Sequence, residues 1–155
     1  MDSLIKVYIE IEQYSNIKYE YDKTEEKLLV DRILEYPYFY PYAYGFIPNT
    51  IGNDNDELDI LIITDKKIIN DRYYNVYIIG LLEMSDEKGM DEKVLCVLEE
   101  DYDKIYDINC LDKKQKENIF WFFSNYKNNT DGKWSKVMGF QNKEFANNLY
   151  KSCLL

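Results

Sequence analysis

Asp54-Asn55-Asp56-Glu57-Leu58-Asp59-Ile60 crowds three aspartates at the mouth of a strand that runs on through Leu61, Ile62, Ile63 and Thr64. An apolar run without alternation is covered on both faces, so residues 58–64 read as a central strand of a sheet. The carboxylates at its entrance repel one another unless cations stand between them or water surrounds them. Two readings follow: a metal cradle, with Asp54 and Asp56 in a loop and Asp59 locked at the strand's start, or a solvated acidic loop. An EF-hand does not fit. Counting from Asp54, Leu58 takes a ligand place, Asp59 the glycine place and Asp65 the terminal glutamate place.

A second acidic cluster, Asp86-Glu87-Lys88-Gly89-Met90-Asp91-Glu92-Lys93, lies about one hairpin later. With Gly89 in the turn between strands at 76–84 and 93–98, Asp86 and Asp91 face each other across the hairpin mouth. Asp91 and Lys93, two apart on one strand, share a face. An exposed charged tip is the plain alternative. Two acidic clusters with a lysine pointing the same way fit a site for metal plus anion better.

Upstream, residues 7–11, 17–21 and 28–34 carry strand alternation. Lys18 and Glu20 share one face. Arg32 sits in an otherwise apolar strand, where a buried guanidinium needs a partner or an anion. Phe39-Tyr40-Pro41-Tyr42-Ala43-Tyr44-Gly45-Phe46 reads as an aromatic loop that plugs the end of a barrel. After residue 100 the period changes. Asp112 with Gln115 forms a capping box, and Ile119, Phe122, Phe123 and Tyr126 fall on one helical face. A second helix starts at Asn142, with Phe145, Ala146, Leu149, Tyr150 and Cys153 as its stripe. Strands followed by two helices give a mainly β (α+β) chain: an OB-like five-stranded barrel with extra strands and two C-terminal helices packed outside.

Composition narrows the chemistry. The chain has no histidine, which excludes histidine bases, Ser-His and Cys-His nucleophile pairs and His-bearing zinc sites. Hard divalent ions on oxygen ligands remain. A net charge of −10 opposes nucleic acid, so an anionic substrate must be received by metal and by local cations. Cys96, Cys110 and Cys153 are scattered and odd in number, as reduced thiols are. No apolar run approaches a membrane span. Residues 1–155 read as one domain of a cytoplasmic protein without membrane or nucleic-acid partners.

Together these stretches resemble the family I soluble inorganic pyrophosphatases. Asp54 to Ile60 is similar to that family's Asp-x-Asp-[Pro/Glu]-apolar-Asp-apolar signature. Ile17-Lys18-Tyr19-Glu20, Val30-Asp31-Arg32, Phe39-Tyr40-Pro41, Tyr44-Gly45, the hairpin from Met84 to Lys93, Phe122-Phe123, Tyr126-Lys127 and Gly132-Lys133-Trp134 follow in the family's order. The resemblance implies hydrolysis of inorganic diphosphate to two orthophosphates by a metal-activated water. It implies Mg²⁺, several ions per site, with Mn²⁺ or Zn²⁺ as substitutes. Asp54, Asp59, Asp86 and Asp91 would ligate metal, with Glu10 and Glu20 as further carboxylates. Asp56 would be the general base. Lys18, Arg32, Lys93, Tyr126 and Lys127 would hold the phosphoryl groups, Tyr40 and Tyr44 would complete the wall, and Tyr44 and Lys93 would share in catalysis. A homo-oligomer is also implied, although Ser124 and Asn125 stand where some bacterial members carry trimer-contact histidines. The loop before Lys18 is one residue shorter than the bacterial pattern, with Glu12 in place of its proline.

Overall fold

The computed structural model describes residues 2–155. Its strands are β1 (Ile5–Ile11), β2 (Ile17–Asp22), β3 (Lys27–Ile33), β4 (Ala43–Ile47), β5 (Leu58–Ile62), β6 (Arg72–Asp86), β7 (Gly89–Met90), β8 (Lys93–Leu98) and, after helix α1 (Lys113–Asn125), β9 (Ser135–Gln141). Helix α2 (Lys143–Ser152) follows β9. β1, β4, β5, β8 and β6 pair in that order, and β6 pairs back to β1. The ring of five strands is thereby closed, with no free edge between them. The long β6 makes the closure possible. Its N-terminal half pairs β1, its middle pairs β8 and its C-terminal half pairs β9, with irregularities at Ile78/Gly80 and Glu83/Met84 that let it bend. β5 lies between β4 and β8, central as its apolar run requires, and its partnership with β8 is parallel.

Alternation along the ring sorts side chains into two apolar clusters. Ile60, Ile62, Val94 and Cys96 join one, which also takes Ala146 and Cys153 from α2. Leu61, Leu95 and Val97 join the other, which α1 covers with Ile119, Phe122 and Phe123. The α1 capping box at Asp112 and Gln115 forms as the sequence indicates, and Asn142 caps α2 by accepting from the Phe145 amide. β2 and β3 form a separate two-stranded ribbon with Lys18 opposite Arg32. It rests on β1 through the Glu10 carboxylate, which accepts from the Tyr21 amide at 2.8 Å, and through the edge-on contact of Tyr8 and Tyr21.

Three local expectations are corrected, and one strand was not foreseen. The aromatic loop ends early, because Ala43 to Ile47 is β4, a ring strand. It carries no alternation because it is buried nearly throughout, and Gly45 hides a steric demand: a Cβ there would stand 1.8 Å from the Tyr8 carbonyl oxygen of β1. β9 was illegible because it is an edge strand with no alternation of apolar residues, recruited by the overhanging end of β6. Phe145 is 43% exposed and leaves the α2 stripe to Ala146, Leu149, Tyr150 and Cys153. At the hairpin, Gly89 pairs with Asp86 and the Asp91 amide bonds the Met84 carbonyl, so β7 interrupts a simple turn.

Gly45→Ala is expected to destabilise the protein by about 3 kcal/mol or more, because backbone of β1 must move to admit the methyl group. Urea unfolding followed by circular dichroism measures it. A midpoint equal to that of the unsubstituted chain would mean that β1 and β4 do not approach so closely.

Candidate active site

A cavity of about 700 Å³ opens between the mouth of the ring, the β2–β3 ribbon and the end of α1. The loop before β5 supplies Asp54 and Asp56, and β5 supplies Asp59. Asp86 ends β6, Asp91 follows β7, and Glu10 and Glu20 come from β1 and β2. These seven carboxylates, from distant parts of the chain, thus share one space.

Cations are interleaved with them. The parallel register of β5 and β8 sets Asp59 beside Lys93, and Asp91, in the two-residue link between β7 and β8, reaches the same lysine. Lys93 Nζ lies 2.8 Å from Asp59 Oδ2 and 2.8 Å from Asp91 Oδ2, with its side chain 1% exposed. Burial pulls the lysine down, but the charges around it, Asp59 foremost, outweigh burial and hold it well above its ordinary range. Burial likewise penalises the Asp91 carboxylate, and the Lys93 charge reverses the sign and leaves it lowered. Asp59 stays raised by burial despite Lys93. Lys127 Nζ bonds Asp86 Oδ2 at 2.9 Å, with Glu87 at 3.5 Å. Lys18 Nζ bonds Asp31 Oδ2 at 2.7 Å. Arg32 differs: its Nη1 donates to the Thr130 hydroxyl at 3.2 Å, and its buried Nε has no partner among the described residues.

The loop geometry follows from local bonds. The Asp56 amide donates to Asp54 Oδ1 at 3.1 Å, and the Gly52 amide bonds the Asp56 carbonyl, closing a turn that leaves the Asp56 carboxylate exposed to the cavity. Asn55, between them, takes φ of 67°, a left-handed conformation that asparagine tolerates better than most residues. Burial, with the charge of Asp91 adding to it, raises Asp54. Burial also raises Glu10, to about 8, with the charges of Asp59 and Glu20 adding to it. Tyr44 and Tyr126 line the cavity, and burial keeps both hydroxyls protonated. Tyr40 does not line it. Its ring packs behind, against Tyr44 and Phe122, with centroids 5.3 and 4.6 Å away, so the wall expected of Tyr40 and Tyr44 is formed by Tyr44.

Asp31, Glu87 and Thr130 were not singled out from the sequence. Asp31 stood inside the quoted Val30-Asp31-Arg32 stretch, and Glu87 inside the acidic hairpin. Thr130 carries no local signal, because only the fold brings it to Arg32, 98 residues away.

The donor set suits a hard divalent cation. It is carboxylate oxygen throughout, and the like charges that raise Glu10 and Asp54 are those a cation would offset. Among the described residues no three acids converge as a closed ligand shell. Lys93 takes up one oxygen each of Asp59 and Asp91.

The sequence profile of the family described as inorganic pyrophosphatase matches residues 7–155. The chain belongs to the inorganic pyrophosphatase family. The inorganic pyrophosphatase of Helicobacter pylori is 43% identical over 149 residues, covering 94% of this chain and 86% of that protein. That of Nanoarchaeum equitans is 43% identical over 151 residues, covering 95% and 93%. A solved Helicobacter pylori pyrophosphatase superposes with a TM-score of 0.93 at 39% identity, over 97% of this chain and 91% of that one. The Thermus thermophilus enzyme gives 0.93 at 38% identity, over 97% and 88%. For this pyrophosphatase, membership implies a divalent metal cofactor, consistent with the donors lining the cavity.

Lys93→Met removes the one buried cation between Asp59 and Asp91 and should cost about 3–5 kcal/mol, the range for breaking a buried pair from one side. Chemical denaturation in the presence of chelator reads the loss. A change below about 1 kcal/mol would mean that the two carboxylates are solvated rather than dependent on the lysine.

Proposed function

We propose that this pyrophosphatase hydrolyses inorganic diphosphate to two orthophosphates in the acid- and cation-lined cavity. The observation that carries the reading is the interleaving of Lys18, Arg32, Lys93 and Lys127 with seven carboxylates in one space. A structural cation site needs the acids but not four cations beside them. A nucleic-acid barrel needs a basic face, and this chain carries −10 with its cleft lined by acids.

Each residue's part follows from its surroundings. Asp54, Asp59, Asp86 and Asp91, with Glu10 and Glu20 nearby, would hold several Mg²⁺ ions, which would supply positive charge and lower the pKa of water, and Mn²⁺ or Zn²⁺ would substitute. Asp56 has a free carboxylate held at the rim by its own turn, so it takes the proton of the attacking water. The water oxygen bonds one phosphorus as the bridging P–O bond breaks, and the bridging oxygen leaves on the second orthophosphate. Lys18, Arg32 and Lys127 hold phosphoryl oxygens from the ribbon side and the α1 side. Lys93 is fixed at the cavity floor, where its charge meets the charge that develops as the bond breaks. Tyr44 and Tyr126, kept protonated, donate hydrogen bonds without adding charge.

The same reading takes residues 1–155 as one domain. It takes the protein to be cytoplasmic, which the free thiols Cys96, Cys110 and Cys153 support. No described helix is long and apolar enough to cross a membrane. It also takes the protein to be a homo-oligomer, which the exposed Phe120 and Trp121 on α1 support.

Orthophosphate release from diphosphate with Mg²⁺ should be rapid and should stop when chelator removes the metal. Asp56→Asn keeps the loop's shape but not the base, and should lower kcat by about 10²- to 10⁴-fold. Equal rates for the two proteins would move the base elsewhere. No release from folded, metal-loaded protein would overturn the hydrolytic reading.

A further inference from the structure

Of the four cations assigned to the phosphoryl groups, three are already neutralised by the protein. Lys93 has Asp59 and Asp91, Lys127 has Asp86, and Lys18 has Asp31, each with an oxygen within 2.9 Å. Arg32 is held instead by a neutral hydroxyl. Thr130 Oγ1 accepts from Nη1 at 3.2 Å, and Nε is buried without a partner among the described residues. Asp31, the adjacent residue, feels the guanidinium's charge, but its carboxylate is bonded to Lys18 at 2.7 Å. A buried guanidinium N–H without an acceptor is costly to leave so, and a phosphoryl oxygen is the acceptor that a guanidinium fork matches.

Thr130 itself is held in place. It lies in the turn between α1 and β9, where its amide bonds the Lys127 carbonyl at 3.1 Å and its carbonyl accepts from the Lys133 amide at 3.2 Å. The turn's two ends are tied to Glu87, which accepts from the Trp134 amide at 3.1 Å and lies 3.5 Å from Lys127 Nζ. The hydroxyl therefore comes from a backbone fixed to the far wall of the cavity, while Arg32 comes from the mostly exposed ribbon. The bond joins the two walls.

We propose that Thr130 is the positioning residue for Arg32. It aims the guanidinium across the cavity, and by being neutral it leaves Arg32, unlike Lys18, Lys93 and Lys127, without a carboxylate partner and so an anchor for a phosphoryl group. This rests on the diphosphate reading above. A carboxylate at the same place would hold the arginine as firmly but would cancel the charge that the anion needs.

Three substitutions separate aim from charge. Thr130→Val keeps the shape and removes the acceptor. Thr130→Ser keeps the acceptor, and Thr130→Asp keeps an acceptor while adding a negative charge. Binding of imidodiphosphate to metal-loaded protein, read by calorimetry, needs no turnover, so the outcome stands apart from whether diphosphate is hydrolysed. Thr130→Val should weaken binding about 10-fold, as for a lost hydrogen bond to a charged group. It should raise KM for diphosphate by a similar factor with kcat within about 3-fold. Thr130→Ser should stay within about 2-fold, and Thr130→Asp should weaken binding at least as much as valine. On an Arg32→Ala background, Thr130→Val should add nothing. Unchanged binding in Thr130→Val, a serine variant as weak as the valine, or full additivity with Arg32→Ala would overturn the positioning role. Undiminished binding in Thr130→Asp would overturn the charge argument.

Discussion

A lysine ammonium buried between two carboxylates is stable only while all three stay in place, and much of this structure is what that demand requires. Lys93 reaches Asp59 because β5 and β8 are parallel neighbours in register, and it reaches Asp91 because the link between β7 and β8 is held to β6 through the Asp91 amide and the Met84 carbonyl. Remove the neighbouring strand and a buried charge is left without its counterion, which costs several times what the pair contributes when complete. The closed ring is what holds β5 and β8 side by side, with β6 overlapping both β8 and β1. The apolar cluster under α1 backs the same face, so core packing and site geometry are set by one arrangement.

The cavity also resolves the conflict between an acidic chain and an anionic substrate. A protein of net charge −10 does not attract diphosphate by its overall field. It can receive one locally, because lysines and an arginine are threaded among the acids and because the family's divalent metal offsets the remaining charge. The lysines are largely committed to carboxylates within the protein, and their role toward a phosphoryl group begins from an ion pair. Arg32, set against a hydroxyl, begins with an N–H donor still to be satisfied.

Much of this was legible in the chain. The 58–64 run marked the central strand because burial on both faces makes Ile60 to Ile63 apolar without alternation. Asp112 and Gln115 marked the start of α1 because capping is a local interaction among residues three apart. The ring strand at Ala43–Ile47 was not legible: near-complete burial removes alternation there, and tyrosines, proline and glycine read equally well as a loop. β9 was not legible because what makes it a strand is the free end of β6, not its own residues. Phe145 was misplaced because helical spacing defines a stripe without saying how wide the covering surface is.

The sequence by itself determined which chemistry was available: oxygen ligands, lysines and arginine, no histidine, and acids clustered at two strand ends. Those are properties of residue type and short spacing, which survive without a fold. Only the tertiary structure decided who faces whom. It put Tyr40 in the core and Tyr44 in the wall, paired Lys18 with Asp31, and brought Thr130 to Arg32 across 98 residues. Contacts at that separation follow from strand register and ring closure, which belong to the whole chain and to no segment of it.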